Sequence, residues 1–586
     1  MPASSLRTNL VNKSVSLVHL GTLLRLRAAV HGDRTLLVFE GESWTYRETL
    51  ENARRFARVF EGRRRARPDG RDAPLRIGLY DENRPEYFFA VLGAALSGSI
   101  IFGLNTGFRG QILAQLVERA ELDVLYVRDP TEAALASVEG PDVEVLADAF
   151  AEAPQAGPPL ERRIVPRAPF LVIYTSGSTG LPKGVVCSQL KLMGAGLLTA
   201  WRVGLRSTDR GYISMPLFHS NAWFLGIMAT LIAGGSFVVR RKFSARGFED
   251  DLLECGITWM NYVGQPLHYI VKALETKHGA DGVERALAHD PRNRFRLAHG
   301  NGATAVDRKK LVRYLGMEHV WELYGSTEAA ITTVVEPGDP IESVGRIRQR
   351  SVTILDERGN DCAPAELDAD GNLLNYDAAV GEICRKIDAD NLFFDGYYKN
   401  DGATSAKYRG GYYHSGDLGY IREVGRRRYL YFEGRTNDWI RKDGENFSAA
   451  TVARFTSEHA PVAQAVAFGA PAPVADELVM VALRMREGCS FEPQATWDRF
   501  QEQQSRGGMD PKWMPDFIRV VQRFKETETN KILVGPLKRR HFSPDQSADE
   551  IWFRQRGDTC YRPFTEEARG AMREAFEANG RGRLLD

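Results

Sequence analysis

The sequence predicts an α/β protein: a large N-terminal region of helix-covered, mainly parallel sheets, then a small barrel or antiparallel sheet, then a small α+β C-terminal domain. Three observations carry this. Short apolar runs alternate with helical patterns from Ser43 to Val239, the rhythm of parallel strands with both faces covered. From about Val344 the runs shorten and are separated by Gly, Asp and Pro, ending at Tyr429 to Phe432. Gly434-Arg435-Thr436-Asn437-Asp438 is then the strongest turn signal before a new alternation begins, which places a domain boundary there.

Along the chain, Ser43-Trp44-Thr45-Tyr46-Arg47-Glu48 reads as a strand end entering a helix that continues through Val59. The arginine-heavy stretch 63–76 reads as a solvated loop rather than a phosphate or lipid patch. Strand, helix and strand follow over Arg76 to Tyr80, Tyr87 to Ser97 and Ile100 to Leu104, and further strands near Val124 to Val127, Phe170 to Thr175, Tyr212 to Met215 and Ser236 to Val239. Beyond the boundary a helix is expected at about Ser448 to Glu458, with strands near Ala463 to Phe468, Leu478 to Met485 and Phe517 to Val521.

Bulk composition sets limits. The chain has 586 residues, 43% hydrophobic and 26% charged, which suits a globular protein with a large core. Its 77 basic and 76 acidic residues give a formal charge of +1, so no general field draws nucleic acid or an anionic membrane, and no nucleic-acid partner is expected. Cys187, Cys255, Cys362, Cys384, Cys489 and Cys560 form neither a CxxC pair nor a Cys/His cluster in sequence, which fits a reducing cytoplasm. No signal peptide is read. The apolar runs Phe88 to Leu104 and Ala222 to Val239 approach membrane-spanning length, but small residues punctuate both, as in buried α/β elements.

The apolar strand Leu171-Val172-Ile173-Tyr174 runs directly into Thr175-Ser176-Gly177-Ser178-Thr179-Gly180-Leu181-Pro182-Lys183-Gly184. Glycines let backbone approach a polyphosphate, hydroxyls and amides donate hydrogen bonds to it, and Lys183 adds positive charge. A Walker P-loop is excluded, because Pro182 stands where glycine should precede the lysine and Gly184 replaces the magnesium-binding Ser or Thr.

This loop resembles the signature of the adenylate-forming superfamily, which comprises acyl-CoA synthetases, firefly-type luciferases and peptide-synthetase adenylation domains. Further motifs follow in the same order. Tyr324-Gly325-Ser326-Thr327-Glu328 resembles the segment whose tyrosine stacks on adenine and whose glutamate holds Mg²⁺. His299-Gly300-Asn301-Gly302 stands where the family lines the adenine and acyl pocket, its glycines expected to leave room for a ligand. Tyr413-His414-Ser415-Gly416-Asp417 looks like the ribose motif, in which Asp417 accepts both hydroxyls of a cis-diol, with Arg435 as its partner. Pro216-Leu217-Phe218-His219-Ser220-Asn221-Ala222-Trp223 resembles an acyl-pocket motif; it lacks the aspartate that pairs a substrate ammonium, and its tryptophan matches one that gates an acyl tunnel in long-chain acyl-CoA synthetases. Lys531, within Thr527-Glu528-Thr529-Asn530-Lys531, matches a catalytic lysine, although Asn530 replaces the usual glycine.

The segment Leu430 to Asp438 with Arg441 to Asn446 looks most like the fatty acid transport protein and very-long-chain acyl-CoA synthetase branch, and the C-terminal stretch from Asp549 agrees more loosely. The resemblance implies an adenylation domain over 1–434 that includes a small β-barrel, a hinge over 435–437, and a small mobile lid over 438–586. It implies Lys531, Thr175 and Glu328 as catalytic, with Glu328 the metal ligand. ATP would be held by Thr175, Ser176, Gly177, Ser178, Thr179, Gly180, Lys183, Gly300, Asn301, Gly302, Tyr324, Gly325, Ser326, Thr327, Asp417 and Arg435. His219, Asn221, Trp223, Tyr262 and Gly264 would line the acyl pocket, Gly444 the coenzyme A channel, and Asn437 would be the hinge pivot in place of the usual Asp or Lys. The implied activity is ATP- and Mg²⁺-dependent ligation of a long-chain or bulky hydrophobic carboxylic acid to coenzyme A. Ligation to a carrier protein, or of a steroid or aryl acid, is the alternative, and a homodimer and a peripheral membrane contact stay open.

Overall fold

The computed structural model describes residues 19–67, 72–157, 163–175, 181–213, 215–368, 373–387, 394–435, 438–442, 445–473, 477–505, 509, 511–526, 532–543, 549–555, 557–578 and 581–585. The chain separates into two compact units, Met1–Gly345 with Asp388–Tyr408, and Arg346–Ile387 with Arg409–Asp586.

The first unit contains two sheets. A six-stranded sheet runs Asp142–Val145, Val124–Val127, Arg76–Tyr80, Ile100–Gly103, Pro169–Thr175, Lys183–Ser188, parallel except for the last pair. In the other, strands His319–Tyr324, Leu297–Asn301, Trp259–Val263, Arg210–Ile213, Ser236–Val239 and Thr35–Phe39 lie side by side and parallel, with an antiparallel neighbour at each end. Helix Tyr46–Arg65 opens with a capping box in which Thr45 and Glu48 satisfy each other's backbone amides. It runs past Val59, the end expected from sequence, because Glu61 pairs with Arg64 and Arg65 one turn on. Of the remaining arginines, Arg63 pairs with Glu144 and Asp142 and Arg67 with Asp123, so the stretch carries matched charge rather than a basic patch.

Both long apolar runs are folded into this core. Phe88 to Leu104 becomes helix Pro85–Ser97, buried on nearly every side, and strand Ile100–Gly103. The helix packs so closely on Tyr46–Arg65 that a Cβ at Gly93 would lie 2.6 Å from Phe56. Ala222 to Val239 becomes a π-helical turn Ala222–Ile227, helix Met228–Ala233 and strand Ser236–Val239. One continuous core draws on both sheets, with Leu79 and Tyr126 from one and Ile213 and Phe237 from the other around Phe56, Phe88 and Trp223. Among the described residues no helix is long and apolar enough to cross a membrane.

In the second unit, strands Val352–Leu355, Gly381–Lys386, Tyr412–Val424 and Arg427–Arg435 pair antiparallel in that order. Among the described residues they do not close: the small barrel suggested by sequence is an open antiparallel arrangement. The five-stranded sheet Val462–Pro471, Glu477–Met485, Phe517–Val520, Glu550–Phe553, Arg562–Pro563 follows. Alternation along its strands sends Val479, Val481 and Leu483 into one apolar cluster and Met480 and Ala482 into another, so both faces are covered. The last two strands add to this sheet, an arrangement the sequence did not announce. Residues 346–387 and 409–434, which the sequence assigns to the large domain, lie in this second compact unit.

Candidate active site

The strands that flank the loop after Tyr174, Pro169–Thr175 and Lys183–Ser188, pair antiparallel as the two arms of a hairpin. Thr175 and Lys183 face each other across its two strands, and the Thr175 hydroxyl donates to the Lys183 carbonyl at 3.4 Å. A Cβ at Gly184 beside them would stand 2.7 Å from Val172 Cγ1 and displace that side chain. Ser176, Gly177, Ser178, Thr179 and Gly180 lie outside the described residues.

The 394–400 segment, unremarked in sequence, is laid along the second strand of this hairpin. Val186 N–H donates to the Gly396 carbonyl, and Tyr398 N–H to that of Gly184. Tyr397 is thereby fixed between two motifs. Lys183 Nζ sits 5.4 Å above its ring, and its hydroxyl donates to Glu328 Oε1 at 2.6 Å. Glu328 is 8% exposed. Burial opposes its ionisation, but the Tyr397 hydroxyl and the Lys407 cation outweigh burial and hold its carboxyl below the ordinary value. Ala329 next to it adopts φ +57, an uncommon conformation for a residue with a Cβ, costing about 1–2 kcal/mol.

An ionised carboxylate in a buried polar setting is a hard oxygen donor that fits Mg²⁺. In Tyr397→Phe burial acts with less opposition, so the Glu328 carboxyl titrates higher. The acid limb of nucleotide-dependent pyrophosphate exchange is expected to move to higher pH. The stability that ionised Glu328 contributes, present above its unfolded pKa and lost as pH falls through the folded one, shrinks by about 1.5–3 kcal/mol at neutral pH. An acid limb identical to that of the parent would contradict this coupling.

The expected adenine and acyl residues converge at the C-terminal ends of three neighbouring parallel strands. Asn221, at the start of the π-helical turn, donates to the Tyr262 carbonyl at 3.0 Å and to Asn301 Oδ1 at 3.3 Å, and accepts from Asn261 at 2.6 Å. Ser220 and Thr327 hydroxyls share a hydrogen bond of 2.9 Å. These bonds tie the 216–223 segment to the strand ends and to the Tyr324-Gly325-Ser326-Thr327-Glu328 turn. His219 is half-buried and its Nδ1 accepts from Asn221 N–H at 3.4 Å. Trp223 is fully buried, its indole N–H on the Leu217 carbonyl and its ring stacked on Phe88. Buried Tyr324 ends its strand, and a Cβ at Gly325 would press on Leu323 and Thr332.

The glycines here serve packing more than ligand space. A Cβ at Gly300 would lie 2.2 Å from the Tyr262 carbonyl oxygen, and one at Gly264 only 1.7 Å from that of Gly302. The room expected beside Gly300 is filled by Tyr262. Gly302 differs: its φ is +83, and a Cβ there would meet no neighbour nearer than 3.7 Å.

Sequence reasoning also missed Glu322. Its carboxyl accepts from the Tyr262 hydroxyl at 2.6 Å and from the amides of Gly302 and Ala303, and so holds the loop after the Leu297–Asn301 strand. No motif announces it; only its register against Gly300 could have pointed there. Burial pushes this carboxyl up to about 7, against the lowering effects of Tyr262, Arg308 and the two amides. A carboxyl raised on folding stabilises fully below its unfolded pKa and loses that contribution as pH rises through about 7. Glu322→Gln removes the titration. Its melting temperature relative to the parent is therefore expected to rise between pH 5 and 8, by the equivalent of up to about 3 kcal/mol. A gap constant with pH, measured by thermal unfolding, would contradict it.

In the second unit, Asp417 sits opposite Arg435 in the antiparallel register. Its loop is held from below. Glu382 accepts from His414 Nδ1 at 2.7 Å and from Gly416 N–H at 2.9 Å, and Ser415 bonds the Ile383 carbonyl at 2.6 Å while accepting from Asp417 N–H at 3.0 Å. Gly416 supplies the φ of +79 that the turn needs. Lys442, beside the expected coenzyme A channel, is anchored on buried Asp516 at 2.6 Å. Asn437, Gly444 and Lys531 lie outside the described residues.

Comparison with known proteins gives the family of the chain. The family described as AMP-binding enzyme matches residues 24–398. A steroid-22-oyl-CoA synthetase of Rhodococcus jostii (strain RHA1) is 32% identical over 561 residues, 93% of this chain and 95% of its own. A medium/long-chain-fatty-acid–CoA ligase of Mycobacterium marinum is 33% identical over 487 residues, 82% of this chain and 88% of its own. Among solved structures, ATP-bound MatB from Rhodopseudomonas palustris superposes with a TM-score of 0.72 at 20% identity, covering 90% of this chain and 99% of that one. At that identity the likeness is one of fold. With a family match spanning most of the chain and relatives aligned nearly end to end, the chain belongs to the AMP-binding enzyme family.

Proposed function

We propose that the protein is an ATP-dependent acyl-CoA ligase that activates a long-chain or bulky hydrophobic carboxylic acid. The observation that carries this is Tyr397, which joins the hairpin bearing the phosphate loop to the buried, ionised Glu328. The names of the relatives support it, one acting on a steroid acid and one on medium- and long-chain fatty acids.

In this reading the loop from Thr175 to Lys183 holds the phosphates by amide and hydroxyl donors, and Tyr324 and Asp417 recognise adenine and ribose. A carboxylate oxygen of the acid attacks the α-phosphorus, the bond to the β-phosphate oxygen breaks, and pyrophosphate leaves. Mg²⁺, when bound, offsets charge on the phosphate oxygens, and Glu328 is the residue that would hold it. Lys531 stabilises the charge that develops between the carboxylate and the α-phosphate. The coenzyme A sulfur then attacks the acyl carbon, and AMP departs. Residues 438–586 act as a lid that turns about 435–437 between the two half-reactions, with Gly444 leaving the pantetheine path open. The protein works in the cytoplasm.

The test is a panel of carboxylic acids assayed with ATP, Mg²⁺ and coenzyme A for thioester and AMP. Formation of both, with AMP release dependent on coenzyme A, is expected. AMP release that ignores coenzyme A would instead indicate transfer to a carrier protein, and no turnover with any acid would overturn the reading.

A further inference from the structure

We propose that the acid carries a hydrogen-bonding oxygen on its apolar skeleton, and that Asn261 and His299 receive it. The inference rests on the ligase reading and narrows its substrate class to hydroxylated or keto-substituted hydrophobic acids.

Asn261 and His299 are direct register partners on adjacent parallel strands, so their side chains stand together on one face of the sheet. They are 0% and 2% exposed. Among the described residues, Asn261 Oδ1 and both ring nitrogens of His299 have no hydrogen-bond partner. Their strand neighbours on the opposite face, by contrast, belong to a satisfied network, with Tyr262 bonded to Glu322. Buried polar atoms without partners are uncommon in folded proteins and call for an explanation, such as a bound ligand.

The acyl-pocket motif borders this pair through Asn221. Trp259 and Leu297, two residues before Asn261 and His299, share their face and pack against Ala200, Val203 and Ala229. This face is therefore the one roofed by helices Gln189–Arg202 and Met228–Ala233. Asn261 donates its amide to Asn221 of the acyl-pocket motif, and a Cβ at Gly226 of the π-helical turn would lie 3.1 Å from its Oδ1 and 2.5 Å from Ile213 Cδ1. On the next strand, half-buried Trp321 is the register partner of His299 and extends the wall.

The donor pattern defines the ligand. Burial and the nearby Arg202 cation keep the His299 imidazole neutral, with one N–H donor and one acceptor nitrogen, while Asn261 Oδ1 only accepts. A hydroxyl can donate to Asn261 and accept from His299, and a ketone can accept from His299. An unsubstituted alkyl chain satisfies neither. A wall selecting plain alkyl chains would gain nothing from these two residues.

Matched acids test this: 5β-cholan-24-oic acid against its 3α-hydroxy derivative, and octadecanoic against 12-hydroxyoctadecanoic acid. At least one oxygenated acid is expected to exceed its parent in kcat/KM by about 10–100-fold, the scale of one or two well-placed hydrogen bonds. His299→Phe should collapse that ratio toward one, while His299→Gln, which keeps a donor and an acceptor, should retain most of it. The ratio is insensitive to a general loss of folded protein, which thermal unfolding of both variants tracks. No preference in any pair, or a preference that survives His299→Phe, overturns the inference and leaves the ligase reading standing. Absence of thioester with every acid would remove the ligase reading itself.

Discussion

Lys531→Ala is expected to lower acyl-adenylate formation by about 10²–10³-fold while leaving thioester formation from supplied acyl-adenylate close to that of the parent. The asymmetry comes from where charge develops. In the first half-reaction an anionic carboxylate approaches an anionic phosphate, and an ammonium between them offsets repulsion that grows toward the transition state. In the second, a thiol attacks an acyl carbon already bearing a good leaving group, and the lysine has no comparable task. Pyrophosphate exchange reads the first step and thioester release from synthetic acyl-AMP reads the second. Equal loss in both would remove Lys531 from its assigned role. Asn530 before it, in place of the usual glycine, does not alter the electrostatic argument.

The second large effect concerns folding. Gly264→Ala would place a methyl carbon 1.7 Å from the Gly302 carbonyl oxygen, an overlap that no rotamer relieves because both partners are backbone. The strand ends at Val263 and Asn301 must separate, and with them the hydrogen bonds that Asn221 makes to both segments. A cost of about 3 kcal/mol or more is expected, seen as a depressed melting temperature and a poor yield of folded protein. Gly302→Ala provides the contrast. Its methyl meets nothing nearer than 3.7 Å, so only the left-handed backbone at φ +83 resists it, at about 1–2 kcal/mol. If the two variants melted alike, close backbone approach would not be what requires glycine at 264.

Local patterns were legible where neighbours in sequence are neighbours in space. The strand end entering a helix at Ser43 to Glu48, the apolar strand leading into the phosphate loop, and the strand near Leu478 to Met485 each depend on residues a few positions apart. Length was less legible. The helix expected to end at Val59 continues to Arg65 on charge pairs between its own turns. Among the described residues the expected barrel is an open arrangement, since closure depends on which edges meet and not on how strongly each strand forms.

By itself the sequence determined the order of the motifs, the α/β alternation and the chemical kinds of group available, because these follow from short-range propensity and residue type. Tertiary structure alone decided that Tyr397 reaches Glu328, 69 positions away, and that Glu322 clasps the loop at Gly302. It likewise decided that Asn261 and His299 stand side by side, with no partner among the described residues for Oδ1 and the ring nitrogens. The physical reason is register: which side chains meet across a sheet depends on how distant strands align, and a shift of one residue would send each of them to the opposite face.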